Sequence, residues 1–197
     1  FDPVANQTVT ATTTDNDVAG FTITQTGGST SVAETGTTDT FTVVLNAQPT
    51  SDVVLSLSSA DTGEVTVTST LTFTPLNWNT AQTVTVTGVD DNLIDGNVNS
   101  TVTIAVIDAI SDNNFDPVAD QTVTATTTDN DVAGFTVAQT GGSTSVAETG
   151  TTDTFTVVLN AQPASNVVLT VTSNDTGETT VNTPLTFTNA NWNTAQT

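Results

Sequence analysis

Residues Phe115 to Thr197 repeat Phe1 to Thr83 without a gap, at an offset of 114 residues and with about four positions in five identical. A period of this size is too long for one turn of a solenoid and matches one β-sandwich domain. The chain therefore reads as an excerpt of a tandem array. Its three expected parts are the last strand of a preceding domain (1–17), one complete domain (18–131), and the N-terminal part of a following domain (132–197).

Within one period, apolar and hydroxyl residues alternate with a period of two, which points to half-buried strands. Seven strands are expected. The first runs from Gly20 to Gln25 and continues past Gly27-Gly28 to Ala33, with a bulge or kink at the glycines. The second is DTFTVVLN (Asp39 to Asn46) and the third DVVLSLSS (Asp52 to Ser59). The fourth covers Glu64 to Thr74 with a kink near Ser69, and the fifth is QTVTVTGV (Gln82 to Val89). The sixth is NSTVTIAVIDA (Asn99 to Ala109) and the seventh DQTVTATTT (Asp120 to Thr128). The abundance of Thr and Val over good helix formers favours sheet. The net charge of −21 and the Thr-, Asn- and Gly-rich runs raise the alternative of disorder. The Val, Leu and Phe on each alternating face argue against it. The expected class is all-β, as tandem seven-stranded antiparallel immunoglobulin-like sandwiches. The third part, lacking its last three strands, would expose unpaired edges. Either neighbouring copies supply those strands or the chain is simply an excerpt, and the second reading is preferred.

Missing residue types close off much chemistry. The chain has no Lys, Arg, His or Cys, so imidazole bases, thiolates, Schiff bases and the usual zinc sites are excluded. Nucleic acid and anionic membrane surfaces need cationic contacts the chain cannot offer. No stretch is long and apolar enough to insert into a membrane. A carboxylate pair of glycosidase type lacks an aromatic-lined cleft, and no enzymatic activity is expected.

In an up-and-down sandwich, successive turns fall at alternate ends. The first–second, third–fourth and fifth–sixth turns thus share one end with the exit of the seventh strand. That end collects Glu34 and Asp39, Asp61 and Glu64, Asp90, Asp91 and Asp95, and Asp129 and Asp131. The other end holds Asp52, Asp112 and Asp116. Two like charges about 4 Å apart repel by roughly 1 kcal/mol in water and about 4 kcal/mol at an effective dielectric near 20. With no cationic side chain to relieve this, an inorganic cation is expected. Hard oxygen ligands suit Ca²⁺, and suit Mg²⁺ less because of its stricter octahedron. Asp39, Asp52, Asp153 and Glu178 read as ordinary turn acids. DDNLIDG lacks the spacing and closing Glu of an EF-hand loop. Trp78 and Trp192 sit at the end away from the acids and read as covers over the core. Phe41, Phe73 and Phe115 fall on the core face by alternation, while Asp112 and Asp116 could complete a junction with a preceding domain.

Three segments, SVAETGTTDTFTVVLN, LTFTPLNWNTAQTVTVTGVDDNLIDG and DNDVAGF, together resemble the Calx-beta domain. That module is found in the regulatory region of sodium–calcium exchangers, in an integrin subunit and in tandem arrays of large bacterial surface proteins. The resemblance implies Ca²⁺ ligands at Glu34, at Asp90, Asp91 and Asp95, and at the triplet Asp129, Asn130 and Asp131. Asp61 matches more loosely, and Asn130 departs from an acidic triplet. Asp15 and Asp17 are the same joint one repeat earlier, and Glu148 and Asp175 are the counterparts of Glu34 and Asp61 one repeat later. The function this implies is a segment of an extracellular filament, stalk or adhesin at the cell surface. Calcium at the junctions between repeats would rigidify it. Its partners would be neighbouring repeats, and beyond them like chains or a surface or matrix ligand. The alternative is a calcium-responsive regulatory module of a membrane-associated protein.

Overall fold

The computed structural model describes residues 5–197. Its first complete unit has nine strands: β1 (Phe21–Gln25), β2 (Thr30–Ala33), β3 (Thr38–Leu45), β4 (Val53–Ser59), β5 (Val65–Val67), β6 (Thr70–Phe73), β7 (Gln82–Gly88), β8 (Val98–Val106) and β9 (Gln121–Thr128). They form two facing sheets, ordered β1-β3-β7-β5 and β2-β9-β8-β4-β6. The molecule is all-β, arranged as a sandwich.

Nine strands arise from the seven expected because two of those seven change sheets. Between β1 and β2 the chain turns through Gly27 (φ 70°) and Gly28 (φ 87°), a left-handed conformation that costs an L-residue with a Cβ. The turn moves the chain from β3 to the other sheet, where β2 pairs with β9 in parallel, Thr30 opposite Ala125 and Ala33 opposite Thr128. The wholly antiparallel arrangement expected from the sequence is therefore corrected at this one pairing. The cause is geometric: a strand that switches sheets keeps its direction, and its new neighbour here runs the same way. The kink near Ser69 is a second sheet switch, with β5 on β7 and β6 on β4. Strand β8 stops at Val106, short of the expected Ala109, because Asp108–Ile110 form a 3-10 turn.

The core between the sheets is apolar. Phe41, Phe73, Val43, Leu55, Val84, Val86 and Ile104 are fully buried, and Phe115 nearly so. Trp78 packs on the edge of this cluster, and its carbonyl accepts the Leu45 N–H at 3.2 Å. Asp112 is also buried, and its carboxylate accepts the N–H groups of Thr50 and Ser51 and the Thr50 hydroxyl. From the segment between β8 and β9 it thus braces the turn before β4 within its own unit.

The second unit contributes β10 (Phe135–Gln139), β11 (Phe155–Leu159), β12 (Val167–Leu169) and β13 (Leu185–Phe187), paired as β10-β11 and β12-β13. The β10–β11 register, Phe135 opposite Leu159, repeats Phe21 opposite Leu45. Gln196 bridges Val157 antiparallel, as Gln82 at the start of β7 pairs with Val43 in the first unit. Phe135 is 54% exposed where Phe21 is 3%. The two units touch where the Gln162 N–H donates to the Asn92 carbonyl at 2.6 Å, with Leu93 bridging Gln162.

Candidate metal centre

The acidic end of the first unit is assembled by four segments that the sheets bring together. Glu34 follows β2, and its N–H donates to the Thr128 carbonyl at the end of β9 (3.2 Å). Its side chain turns inward, 1% exposed, and accepts the Asn130 N–H on Oε2 at 3.0 Å. Glu64 lies just before β5 and is 5% exposed. Its carbonyl accepts the Val89 N–H at 2.8 Å, pinning it beside the end of β7. Close approach there needs Gly88, since a Cβ would collide with the Ala33 backbone.

The loop between β7 and β8 and the segment after β9 close the site. Asp129 accepts the Gly96 N–H on Oδ2 (2.8 Å) and the Asp131 N–H on Oδ1 (2.6 Å). Asp90 accepts the Asn130 side-chain amide at 2.9 Å, and Asp91 caps the Leu93 N–H at 2.7 Å. Two sets of carboxylates then converge, each with oxygens within 4.8 Å of one another: Glu34, Asp129 and Asp131, and Glu34, Glu64 and Asp95. Atoms on opposite sides of a Ca²⁺ with ligands at 2.3–2.6 Å lie about that far apart. Glu34 belongs to both sets.

The electrostatics mark these groups as under-compensated. Burial raises the pKa of Glu34, Glu64 and Asp131, and neighbouring carboxylates raise each further, Asp129 for Glu34, Asp95 for Glu64 and Asp129 for Asp131. Asp95 is raised by partial loss of hydration and then by Asp91. The Asn130 N–H opposes the shift at Glu34. Glu64 Oε2 and Asp131 Oδ2 are buried without a hydrogen-bond partner. Buried carboxylate oxygens are ordinarily paired or bound to a metal. Hard anionic oxygens, some already oriented by backbone N–H groups and others free, fit a divalent cation such as Ca²⁺.

Of the residues expected from the sequence, Glu34, Asp95, Asp129 and Asp131 lie in these two sets. Asp90, Asp91 and Asn130 form their rim through the hydrogen bonds above. Asp61 is exposed and holds a local turn by accepting the Gly63 N–H at 3.0 Å, while still adding repulsion to Glu64. Asp15 and Asp17, and Glu148 and Asp175, are exposed and are not brought together. Glu64 enters the site unassigned by the sequence reading, which took Asp61 from the same turn. The available signal was its place directly before the apolar alternation of VTV, one step from the fully buried Val65.

No family model and no curated protein matches the chain. Among solved structures, a crystal structure of the apo form of the Calx CBD1 domain is similar at 13% identity and TM-score 0.40, over 56% of this chain and 98% of that one. A crystal structure of CBD12 from CALX1.2 is similar at 14% identity and TM-score 0.40, over 84% and 69%. The E. coli chaperone DraB is similar at 8% identity and TM-score 0.40, over 59% of each chain. Among the described residues, no helix is long and apolar enough to cross a membrane.

Proposed function

We propose that this chain is a non-enzymatic structural segment of an extracellular filament, stalk or adhesin, stiffened by Ca²⁺ held where one repeat meets the next. The observation that carries this reading is the convergence of Glu34, Glu64, Asp95, Asp129 and Asp131, two of them with buried unpartnered oxygens, in a chain with no Lys, Arg or His. Glu34, Glu64 and Asp131 would bind the ion from the core side, while Asp95 and Asp129 would tie the β7–β8 loop to the interdomain segment. The same loop carries Asn92, the acceptor for Gln162 of the second unit. An ion in the cluster would therefore restrain the loop that touches the next repeat.

An ion that binds only the folded unit stabilises it by about 2.7 kcal/mol when free ion is about 100 times its Kd. For a unit of this size the expected rise in Tm is about 10 °C or more. Thermal melts in calcium and in chelator read this directly. Small-angle scattering of the same samples should give a longer, narrower particle in calcium. An unchanged Tm together with an unchanged maximum dimension sinks the reading.

A further inference from the structure

We propose that the link between Asp95 and Gly96 is a self-modification site, where the Gly96 nitrogen attacks the Asp95 side-chain carboxyl and converts Asp95 to isoaspartate. Asp95-Gly96 is the single Asp-Gly pair in the sequence, and Asn-Gly does not occur. Glycine is the successor that least obstructs such an attack, because it has no Cβ to crowd the closing succinimide ring. The structure leaves the ring room: Gly96 has φ 75°, and nothing lies within 4 Å of where its Cβ would stand. Both residues are exposed in the irregular loop joining β7 to β8. The Gly96 N–H donates to Asp129 Oδ2 at 2.8 Å, a distance at which a carboxylate can take the proton as a general base. Asp129 is itself held in place, its Oδ1 accepting the Asp131 N–H. Other aspartates lack this combination. Asp39, Asp61, Asp153 and Asp175 each precede threonine, whose branched Cβ is stiff and crowds the nitrogen. Asp61 and Asp175 also have Oδ1 engaged by the Gly63 and Gly177 N–H groups.

In the first step the Gly96 nitrogen bonds to Asp95 Cγ while its proton passes to Asp129. A Cγ–O bond breaks, and the oxygen leaves as water with that proton and one from solvent. Water then opens the succinimide, and a proton is released. Addition at Cγ restores aspartate. Addition at the main-chain carbonyl carbon leaves Gly96 joined through Cβ and Cγ. That product has an extra methylene in the backbone and its free carboxylate directly on Cα. No reactant other than water is needed.

The product spoils the acidic site. A carboxylate oxygen of Asp95 lies within 4.8 Å of oxygens of Glu34 and Glu64, and the longer backbone withdraws it and shifts the Gly96 N–H from Asp129. The same loop carries Asn92, whose carbonyl accepts the Gln162 N–H of the second unit, so the change also loosens that contact. Ion binding would engage both Asp95 and Asp129 and so suppress the attack; this part rests on the function proposed above, whereas the isomerisation does not. The joint then keeps an irreversible record of time spent without calcium.

The test is to age the whole folded chain for weeks at neutral pH in water enriched in heavy oxygen, with calcium or with chelator, and to map its peptides by mass spectrometry. In chelator, isoaspartate and heavy oxygen should accumulate at Asp95 several-fold faster than at Asp39, Asp61, Asp153 or Asp175, and calcium should slow this several-fold. The isoaspartate form should bind calcium about tenfold or more weakly, as loss of support around a metal does. Asp129→Asn loosens the loop but removes the proton acceptor, so it should slow the reaction in chelator; a faster reaction overturns that role. Gly96→Asn tolerates left-handed backbone and crowds the nitrogen, so it should also react more slowly. Asp95 that stays unlabelled in chelator, with a Tm that still rises with calcium, overturns the inference and leaves the proposed function standing. Equal labelling in calcium and chelator overturns the protection alone if the Tm rises with calcium. If neither the labelling nor the Tm responds to calcium, the proposed function falls and the self-modification stands.

Discussion

Glu64 and Asp61 come from one short turn, and their environments differ in the way that decides which carboxylate needs a cation. Asp61 is exposed, with an oxygen engaged by the Gly63 N–H, whereas Glu64 is buried, repelled by Asp95 and Asp91, and left with Oε2 unpartnered. Glu64→Gln keeps the shape and removes the charge. In chelator it should raise the Tm by several degrees, since relieving a repulsion of about 1 kcal/mol is worth about 4–8 °C in a domain of roughly this size. In calcium titrations it should lower affinity about tenfold or more. Asp61→Asn should change both much less. Isothermal titration and melting of the two variants separate them, and equal effects would mean that burial does not govern this site. At this scale the sequence showed which turns carry acid but not which acid turns inward. Both residues precede the same VTV run, and only the β5–β7 pairing, with the Val89 N–H on the Glu64 carbonyl, fixes the inward one.

The strands themselves were legible because alternation has a period that nothing else in the chain imitates: β3, β4, β7 and β9 start and end within a residue or so of the runs that announce them. The sheet switches were not, since one continuous alternating run can serve one sheet or two. Gly27-Gly28 gave a partial signal, a break without a destination. The break depends on left-handed backbone at both glycines, which costs an L-residue roughly 1–2 kcal/mol and a β-branched one more. Gly28→Val should therefore destabilise the first unit by about 2 kcal/mol, lowering the Tm by about 10 °C. It should also reduce calcium affinity, because β2 delivers Glu34. A neutral effect on urea unfolding would show that the turn can relax without Cβ strain.

Across the whole molecule the two ends of the first unit respond to acid in opposite senses, so its stability should peak at mildly acidic pH when no cation is bound. At the distal end Glu34, Glu64, Asp95 and Asp131 have folded-state pKa values raised above the ordinary carboxylate range. There the folded state binds more protons than the unfolded one, and stability falls as pH rises through the raised values. At the opposite end, hydrogen bonds led by the Thr50 hydroxyl and the Asn114 N–H hold Asp112 far below its usual range. Its contribution is complete above the unfolded carboxylate pKa and is lost as pH falls below it. Urea melts in chelator should thus show stability rising from neutral pH to about pH 5 and dropping below about pH 4. Saturating calcium should abolish the neutral-side decline, because the ion takes the place of the protons, and its affinity should weaken as the carboxylates protonate. Asp112→Asn should flatten only the acid limb. A profile that stays flat from pH 5 to 8 in chelator would mean that the clustered carboxylates are relaxed by solvent, and with them would go the physical need for a cation at the joint.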